Sequence, residues 1–333
     1  MNKAFIRAVS YYLPADILSN IELAKQFPDW SIDKIEAKTG IKFRRIANNN
    51  EFASDMAISA SNLLFDDHNI EKSTIDFVLY CTQSPDYFLP TTACILQDKL
   101  GLQKNIGALD FNLGCSGYIY GLAIAKGLIV SNIAKNILLI TSETYSKYID
   151  NSDRVNRTIF GDAAAATLVS NVGFAEILDF DLGTDGSGAQ NLIVKEGGAR
   201  FKVNVEKDNI NNSNKDSCLY MNGPEIFTFT TKMIPSLIRN NIEKNHITEN
   251  EVNLYILHQA NKYMLDFLKK LTKIPDDKFF EYLENIGNTV SSTVPIALAE
   301  AIKQKKTFGN VLLCGFGVGY SWGAVIINFN NEK

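Results

Sequence analysis

The sequence predicts a layered α/β protein built from two similar halves. Short apolar runs alternate with helix-length segments, which is the signature of strands packed against helices. Three segments of the first half also recur, in order, in the second half. Phe77-Val-Leu-Tyr-Cys-Thr-Gln83 resembles Leu254-Tyr-Ile-Leu-His-Gln-Ala260, with Cys81 on His258, 177 positions apart. Asp110 to Ser116 resembles Glu284 to Thr289, with Gly114 on Gly287 at 173, and Asn136 to Ser142 resembles Asn310 to Phe316 at 174. One such match is weak because buried strands look alike; three in order at near-constant spacing imply a duplication.

In chain order, helices are expected over 52–66 and 116–130, then 220–243, 261–271 and 291–304. Segment 116–130 is apolar nearly all round, which places it between layers. In its second copy Pro295 fits a first helical turn, so that helix should begin near Thr293. Buried strands are expected at 77–81, 109–113, 137–141, 254–257, 311–314 and 320–328. The domain reading is an N-terminal half over 1–181, a connecting segment over 182–216 and a C-terminal half over 217–333. The connection is rich in Gly, Asn and Lys, and long loops of that kind often serve function.

Composition narrows the function classes. The chain has 333 residues, 46% hydrophobic and 21% charged, with a formal net charge of -4. A negative balance speaks against nucleic acid as the main partner. No apolar run reaches the roughly 18 residues of a membrane span. The N-terminus meets Pro14 and Asp16 before a signal-peptide core can form, so a cytoplasmic protein without membrane contact is expected. Five widely spaced cysteines without a CxxC pattern suit reduced thiols, and three scattered histidines suit no metal cluster.

Cys115 is the first chemical candidate. It lies in Leu113-Gly-Cys-Ser-Gly117, between a strand and the all-apolar helix. A thiol at a helix N-terminus meets the helix dipole, which should lower its pKa. Cys81, Cys94 and Cys314 sit in apolar runs and read as core; Cys218 has no assigned role. His258 ends a strand and opens His-Gln-Ala-Asn before a helix, where α/β sheets place ligands. His68 and His246 read as surface residues. Asn288, in Gly287-Asn-Thr289, alone reads as a turn residue. The repeat sets it opposite Cys115, so a pseudo-twofold axis would bring Cys115, His258 and Asn288 together. Gly315 to Gly323 reads as a glycine-rich turn between strands, able to present backbone N–H groups to an oxyanion. Phe160-Gly-Asp-Ala163 reads as close structural packing.

These motifs occur in the order found in beta-ketoacyl-acyl carrier protein synthase III, and the chain resembles that branch of the thiolase superfamily over almost its whole length. Gly114-Cys-Ser-Gly117, Phe160-Gly-Asp-Ala163, His258-Gln-Ala-Asn261, Gly287-Asn-Thr289 and Gly315-Phe-Gly-Val-Gly-Tyr-Ser-Trp322 carry the resemblance. Lys38-Thr-Gly-Ile41, Ser142-Glu-Thr144, Asp185-Gly-Ser-Gly188 and Met221-Asn-Gly223 support it. It implies a thiolase-like, duplicated, five-layered α/β/α/β/α fold and a homodimer. It also implies a decarboxylating Claisen condensation of an acyl-CoA primer with malonyl-acyl carrier protein. Cys115 would carry the acyl group, and His258 and Asn288 would stabilise the enolate. The backbone N–H groups of Cys115, Gly317 and Val318 would form the second oxyanion hole. Lys38, Leu89, Arg154, Asn261 and Phe316 fall at substrate-binding positions, Leu89 reaching the acyl pocket across the dimer interface. No resident cofactor or metal is implied, since the thioesters are substrates.

Departures from the family pattern concern the substrate. The family's adenine-stacking tryptophan falls on Lys34, while Arg154 keeps the partnering arginine. The arginine after His-Gln-Ala-Asn is Tyr263, a frequent glycine is Val318, and a frequent polar residue is Pro224. Together these point to a specialised pathway. The main alternative is acyl transfer from the cysteine to an oxygen or nitrogen nucleophile without decarboxylation, though relatives of that kind tend to lose His or Asn of the pair. The hydroxymethylglutaryl-CoA synthase branch needs a glutamate where Gln83 stands. A non-catalytic partner subunit would be expected to lack Cys115.

Overall fold

The computed structural model describes residues 2–202 and 215–329. The first half contains strands β1 (Phe5–Tyr12), β2 (Asp16–Ser19), β3 (Phe43–Ile46), β4 (Phe77–Cys81), β5 (Gly107–Phe111), β6 (Asn136–Glu143) and β7 (Ala163–Ser170). Its helices are α1 (Asn20–Gln26), α2 (Ile32–Thr39), α3 (Ala53–Asp67), α4 (Thr92–Lys99), α5 (Gly117–Val130) and α6 (Arg154–Arg157). Then come β8 (Ala175–Thr184), β9 (Leu192–Ile193), β10 (Tyr220–Met221), α7 (Gly223–Lys244), β11 (Val252–Leu257), α8 (Lys262–Thr272), α9 (Thr293–Lys303), β12 (Gly309–Gly317) and β13 (Ser321–Phe329). The expected helix over 220–243 begins three residues later. Asn222 caps it through Glu225 N–H, Pro224 fits its first turn, and Tyr220–Met221 pairs instead with Leu192–Ile193. The connecting segment opens inside β8, which runs to Thr184, and its residues 203–214 lie outside the described residues.

The strands order as β5-β4-β6-β7-β1 and β11-β12-β13-β8. The two sets meet at β1 and β8 through two residue pairs only. Replacing each first-half strand by its counterpart, the second order repeats the first; the edge partner of β11 is reduced to a bridge from Tyr255 to Phe279. Register makes the duplication concrete. Phe77 pairs with Ile137 in one half and Leu254 with Val311 in the other, which reproduces the offsets of 177 and 174. Cys81 and His258 are therefore equivalent positions. The helices start at Gly117 and Thr293, which is 176 apart, not 173. A 3-10 turn, Val290–Ser292, inserts three residues after the Gly287-Asn288 turn.

Strand alternation assigns the layers. Leu79, Ile137 and Leu139 face inward with Leu254, Ile256, Val311 and Leu313, onto α5 and α9. Their neighbours Val78, Leu138 and Ile140 face α3 and α4 on one outside. Tyr255, Leu257 and Leu312 face α7 and α8 on the other. The result is five layers, helix, sheet, helix, sheet, helix, with the all-apolar α5 in the middle. Its partner α9 starts at Thr293, as Pro295 predicts. Cys81 and Cys314 are buried, but Cys94 is exposed, contrary to its core reading. It lies on α4, where Ala93 and Leu96 turn inward and residue 94 between them turns out.

Candidate active site

The turns that precede both central helices contribute to one cavity of about 720 Å³. Cys115, His258, Asn288, Phe316 and Gly317 line it, together with Lys38, Val155, Phe160, Asn261 and Tyr263. The three residues expected to meet do share one surface. Each arrives from a different element: Cys115 from the turn before α5, His258 from the end of β11, and Asn288 from the turn before α9.

Local contacts fix each one. Ser116, the residue after Cys115, bonds Ser321 Oγ at 2.6 Å. A side chain on Gly317 would lie 3.1 Å from Cys115 Sγ, so glycine brings the end of β12 directly against the thiol. His258 N–H donates to Cys314 O at 2.7 Å, and its Nδ1 lies 2.7 Å from Thr293 Oγ1. The His258 ring meets the Phe316 ring edge-on at 5.4 Å. Asn288 Oδ1 accepts from Val290 N–H at 2.9 Å, which leaves the Nδ2 amine as the donor end. The Asn288 main chain is bound on both sides, N–H to Ile159 O and O from Gly161 N–H, each at 2.9 Å. Gly161 is required there because a Cβ would stand 2.3 Å from Ile286 O. The Phe160-Gly-Asp motif thus clamps the Asn288 turn, in keeping with its structural reading. From the other side Arg44, fully buried, donates to Thr158 O and packs against Gly287.

Electrostatics depart from the expected picture at the thiol. Burial pushes the Cys115 pKa up to about 12, with the nearby Glu143 charge adding to the rise. The dipole of α5 was expected to lower it, but Cys115 is 6% exposed and its thiolate would lose nearly all hydration. Burial pushes His258 down to about 3, so its imidazole is neutral throughout the physiological range. Glu143 is fully buried and pushed up to about 8 by burial. It accepts from Gln83 N–H, Ser84 Oγ at 3.0 Å and Ser291 Oγ at 2.8 Å. Neither Glu143 nor Thr293 was singled out in the sequence, and the Ser-Glu-Thr motif was the available signal for the first.

The substrate-binding expectations divide. Lys38, Asn261 and Phe316 line the cavity; Asn261 also caps α8 through Met264 N–H at 2.9 Å. Arg154 lies over the Trp30 ring at 5.6 Å, joined there by Lys34 at 5.8 Å and Lys38 at 5.3 Å. An indole therefore does stand beside Arg154, supplied by Trp30 four positions before the expected one. It is buried against Leu23 and Ile35, and so offers little free face for stacking. Leu89 is exposed at the surface together with Tyr87 and Phe88. Val318 does not line the main cavity. It borders a smaller one of about 250 Å³ with Gln83, Asn112, Tyr145, Tyr148 and Leu192. Among the described residues no helix is long and apolar enough to cross a membrane.

Two family models match the chain: 3-oxoacyl-[acyl-carrier-protein] synthase III over residues 109–186 and its C-terminal counterpart over residues 242–329. The beta-ketoacyl-[acyl-carrier-protein] synthase III of Caldanaerobacter subterraneus subsp. tengcongensis is 36% identical over 98% of both chains. That of Fusobacterium nucleatum is 35% identical over 99% of both. Among solved structures, a 3-oxoacyl-(acyl-carrier-protein) synthase III superposes with a TM-score of 0.94 at 43% identity, covering 98% of this chain and 100% of its own. The Burkholderia xenovorans 3-oxoacyl-(acyl-carrier protein) synthase reaches 0.90 at 32%, covering 98% and 94%. With the thiolase-like five-layered fold, these matches establish that the chain belongs to the beta-ketoacyl-acyl carrier protein synthase III family of condensing transferases.

Proposed function

We propose that the chain condenses a primer acyl thioester with malonyl-acyl carrier protein through an acyl group held on Cys115. The observation that carries this reading is the convergence of Cys115, His258 and Asn288 on one cavity from three separate elements. In the first half-reaction Cys115 Sγ bonds to the primer carbonyl carbon. The carbon–sulfur bond to the donor breaks, and the thiol proton leaves with the donor thiol. Backbone N–H groups near Cys115 and Gly317 hold the oxyanion. In the second, malonyl thioester loses CO2 and the electron pair moves onto its thioester oxygen. A neutral imidazole and the Asn288 amide donate hydrogen bonds to that enolate. Its carbon then attacks the acyl group and releases the Cys115 thiolate, which takes up a proton.

Exposed Tyr87, Phe88 and Leu89 form an apolar loop tip, and such a patch supports burial against a second copy of the chain. Tyr263, Phe267 and Leu271, four positions apart along α8, are also exposed, and Tyr263 lines the cavity. This apolar stripe replaces the arginine expected for carrier-protein docking and supports a specialised pathway with its own carrier.

Relatives that transfer the acyl group to oxygen or nitrogen without decarboxylation tend to lose His or Asn of the pair, and this chain keeps both His258 and Asn288. The discriminating experiment gives the protein labelled acyl-CoA and then malonyl thioester and follows protein-bound label and CO2. Retained label on Cys115 with CO2 release is expected. Ester or amide products without CO2 would favour the alternative.

A further inference from the structure

A second cavity lies beside Cys115. The larger one, of about 720 Å³, is lined by His258 and Asn288, so the malonyl thioester and its arm must enter there. The smaller one, of about 250 Å³, is lined by neither. Cys115 packs in one buried cluster with Tyr145, Leu192 and Leu219, and all three also line the smaller cavity. Leu192 lines both cavities. During condensation the enolate and the acyl group must both reach Cys115. With the enolate on His258 and Asn288, the smaller cavity is the space left for the acyl group.

The smaller cavity is polar without being charged. Gln83, Asn112, Tyr145 and Tyr148 line it, and none of its lining residues is ionic. The Tyr145 hydroxyl donates to Gln83 Oε1, and Gln83 Nε2 donates to Asn112 Oδ1 at 2.9 Å. The Tyr148 hydroxyl donates to Gln83 O at 3.3 Å. One N–H of the Gln83 amide and both of Asn112 are then left without a partner among the described residues. With both amides turned over, each would still keep a spare N–H. The Gln83 amide also lies near the thiol: a Cβ on Gly114, the residue before Cys115, would stand 2.6 Å from Gln83 Oε1. The repeat sets Gln83 on Ala260, which lines the larger cavity. Equivalent positions thus carry a methyl group where the thioester arm enters and an amide where the acyl group lies.

We propose that Gln83 and Asn112 select a primer whose acyl group carries an uncharged hydrogen-bonding group, a hydroxyl or a ketone, at its third or fourth carbon. The proposal rests on the condensing mechanism above. An alkyl chain in this space displaces water from the spare N–H groups and offers them nothing, whereas a hydroxyl or ketone oxygen accepts from them. The amide stands beside the residue that precedes the thiol, so the first few carbons of the acyl group are the ones that meet it. A carboxylate would enter with no cation to pair with, close to the Glu143 carboxyl that accepts the Gln83 backbone N–H.

The test gives the full-length protein a set of four-carbon donors that differ in one group: butyryl-, 3-hydroxybutyryl-, 4-hydroxybutyryl-, acetoacetyl- and succinyl-CoA. Initial rates of Cys115 acylation are read by intact-protein mass spectrometry. At least one of the hydroxyl or ketone donors is expected to acylate about tenfold faster than butyryl-CoA or more, with succinyl-CoA slower than butyryl-CoA. A smaller advantage for all three, or succinyl-CoA as the fastest donor, overturns the proposal. In parallel, Gln83→Met keeps the side-chain length and removes the amide. It is expected to bring the preferred donor down to about the butyryl rate. An unchanged preference in the folded variant overturns the role of Gln83. Should that variant not fold, the rates of the unmodified protein decide. Failure of every donor, acetyl-CoA included, to label Cys115 would strike the condensing mechanism and the proposal with it, whereas a preference for butyryl-CoA strikes the proposal alone.

Discussion

Glu143 accepts a hydrogen bond from Ser291 Oγ at 2.8 Å, joining the end of a first-half strand to the turn that opens the second half's central helix. Both residues are fully buried. The carboxyl is surrounded by groups that are neutral or become anions, namely Cys81, Cys115, Tyr80, Tyr145, Tyr148 and Asp162. Among the described residues no cation pairs with it, and burial pushes its pKa up to about 8.

That shift makes folding stability depend on pH. The folded pKa of Glu143 lies above the unfolded value of 4.5. Its contribution is complete below that value and is lost as pH rises toward 8. Asp162 acts in the same direction but ends near pH 6. His258, lowered to about 3, acts oppositely, with its contribution present above 6.5 and lost in acid. Glu143→Gln should therefore gain on the parent protein between pH 5.5 and 8, by on the order of 2–3 kcal/mol. Urea unfolding at the two pH values checks this, and a constant gap between the proteins would count against a neutral Glu143.

His258→Ala and Asn288→Ala each remove one donor to the enolate oxygen. Each is expected to slow malonyl decarboxylation by about 10²–10³ while leaving Cys115 acylation in place. Single-turnover acylation and CO2 release, measured separately, give the two rates. Normal CO2 release from both variants would refute the assigned roles.

Gly161→Ala tests the clamp behind Asn288. The added methyl group would meet Ile286 O at 2.3 Å, and both partners are backbone, so the turn must shift. A stability loss of about 1–3 kcal/mol is expected, with reduced decarboxylation. Calorimetry and CO2 release from the same preparation check both, and a variant unchanged in the two would contradict the clamp.

Leu89→Asp tests the apolar loop tip. A carboxylate in the middle of Tyr87, Phe88 and Leu89 should weaken self-association by about 2 kcal/mol or more. Sedimentation velocity across a dilution series reads this directly, and an unaltered profile would exclude the loop from the proposed contact with a second copy.

Much of the fold was legible because buried strands and an all-apolar helix carry strong patterns. The repeat of Phe77 to Cys81 in Leu254 to His258 even specified sheet register, since side-chain alternation permits no slip by one residue. The cluster of Cys115, His258 and Asn288 followed from the same repeat. Its spacing at the second turn was off by three because a 3-10 turn leaves no sequence signal of its own. Cys94 was misplaced because an apolar run says nothing of which face of a helix a residue takes. The thiol pKa was misjudged because a helix dipole is visible in sequence order while burial is a tertiary property. Trp30, Glu143 and Thr293 were passed over for the same reason: each acquires its role from a neighbour more than 30 positions away.

The most direct test of the central claim is intact-protein mass spectrometry after exposure to a panel of acyl-CoA donors, followed by peptide mapping. The expected result is addition of one acyl mass on the Cys115 peptide, absent in Cys115→Ser and discharged by malonyl-acyl carrier protein. Acyl mass retained in Cys115→Ser, or located on another cysteine, would contradict the account.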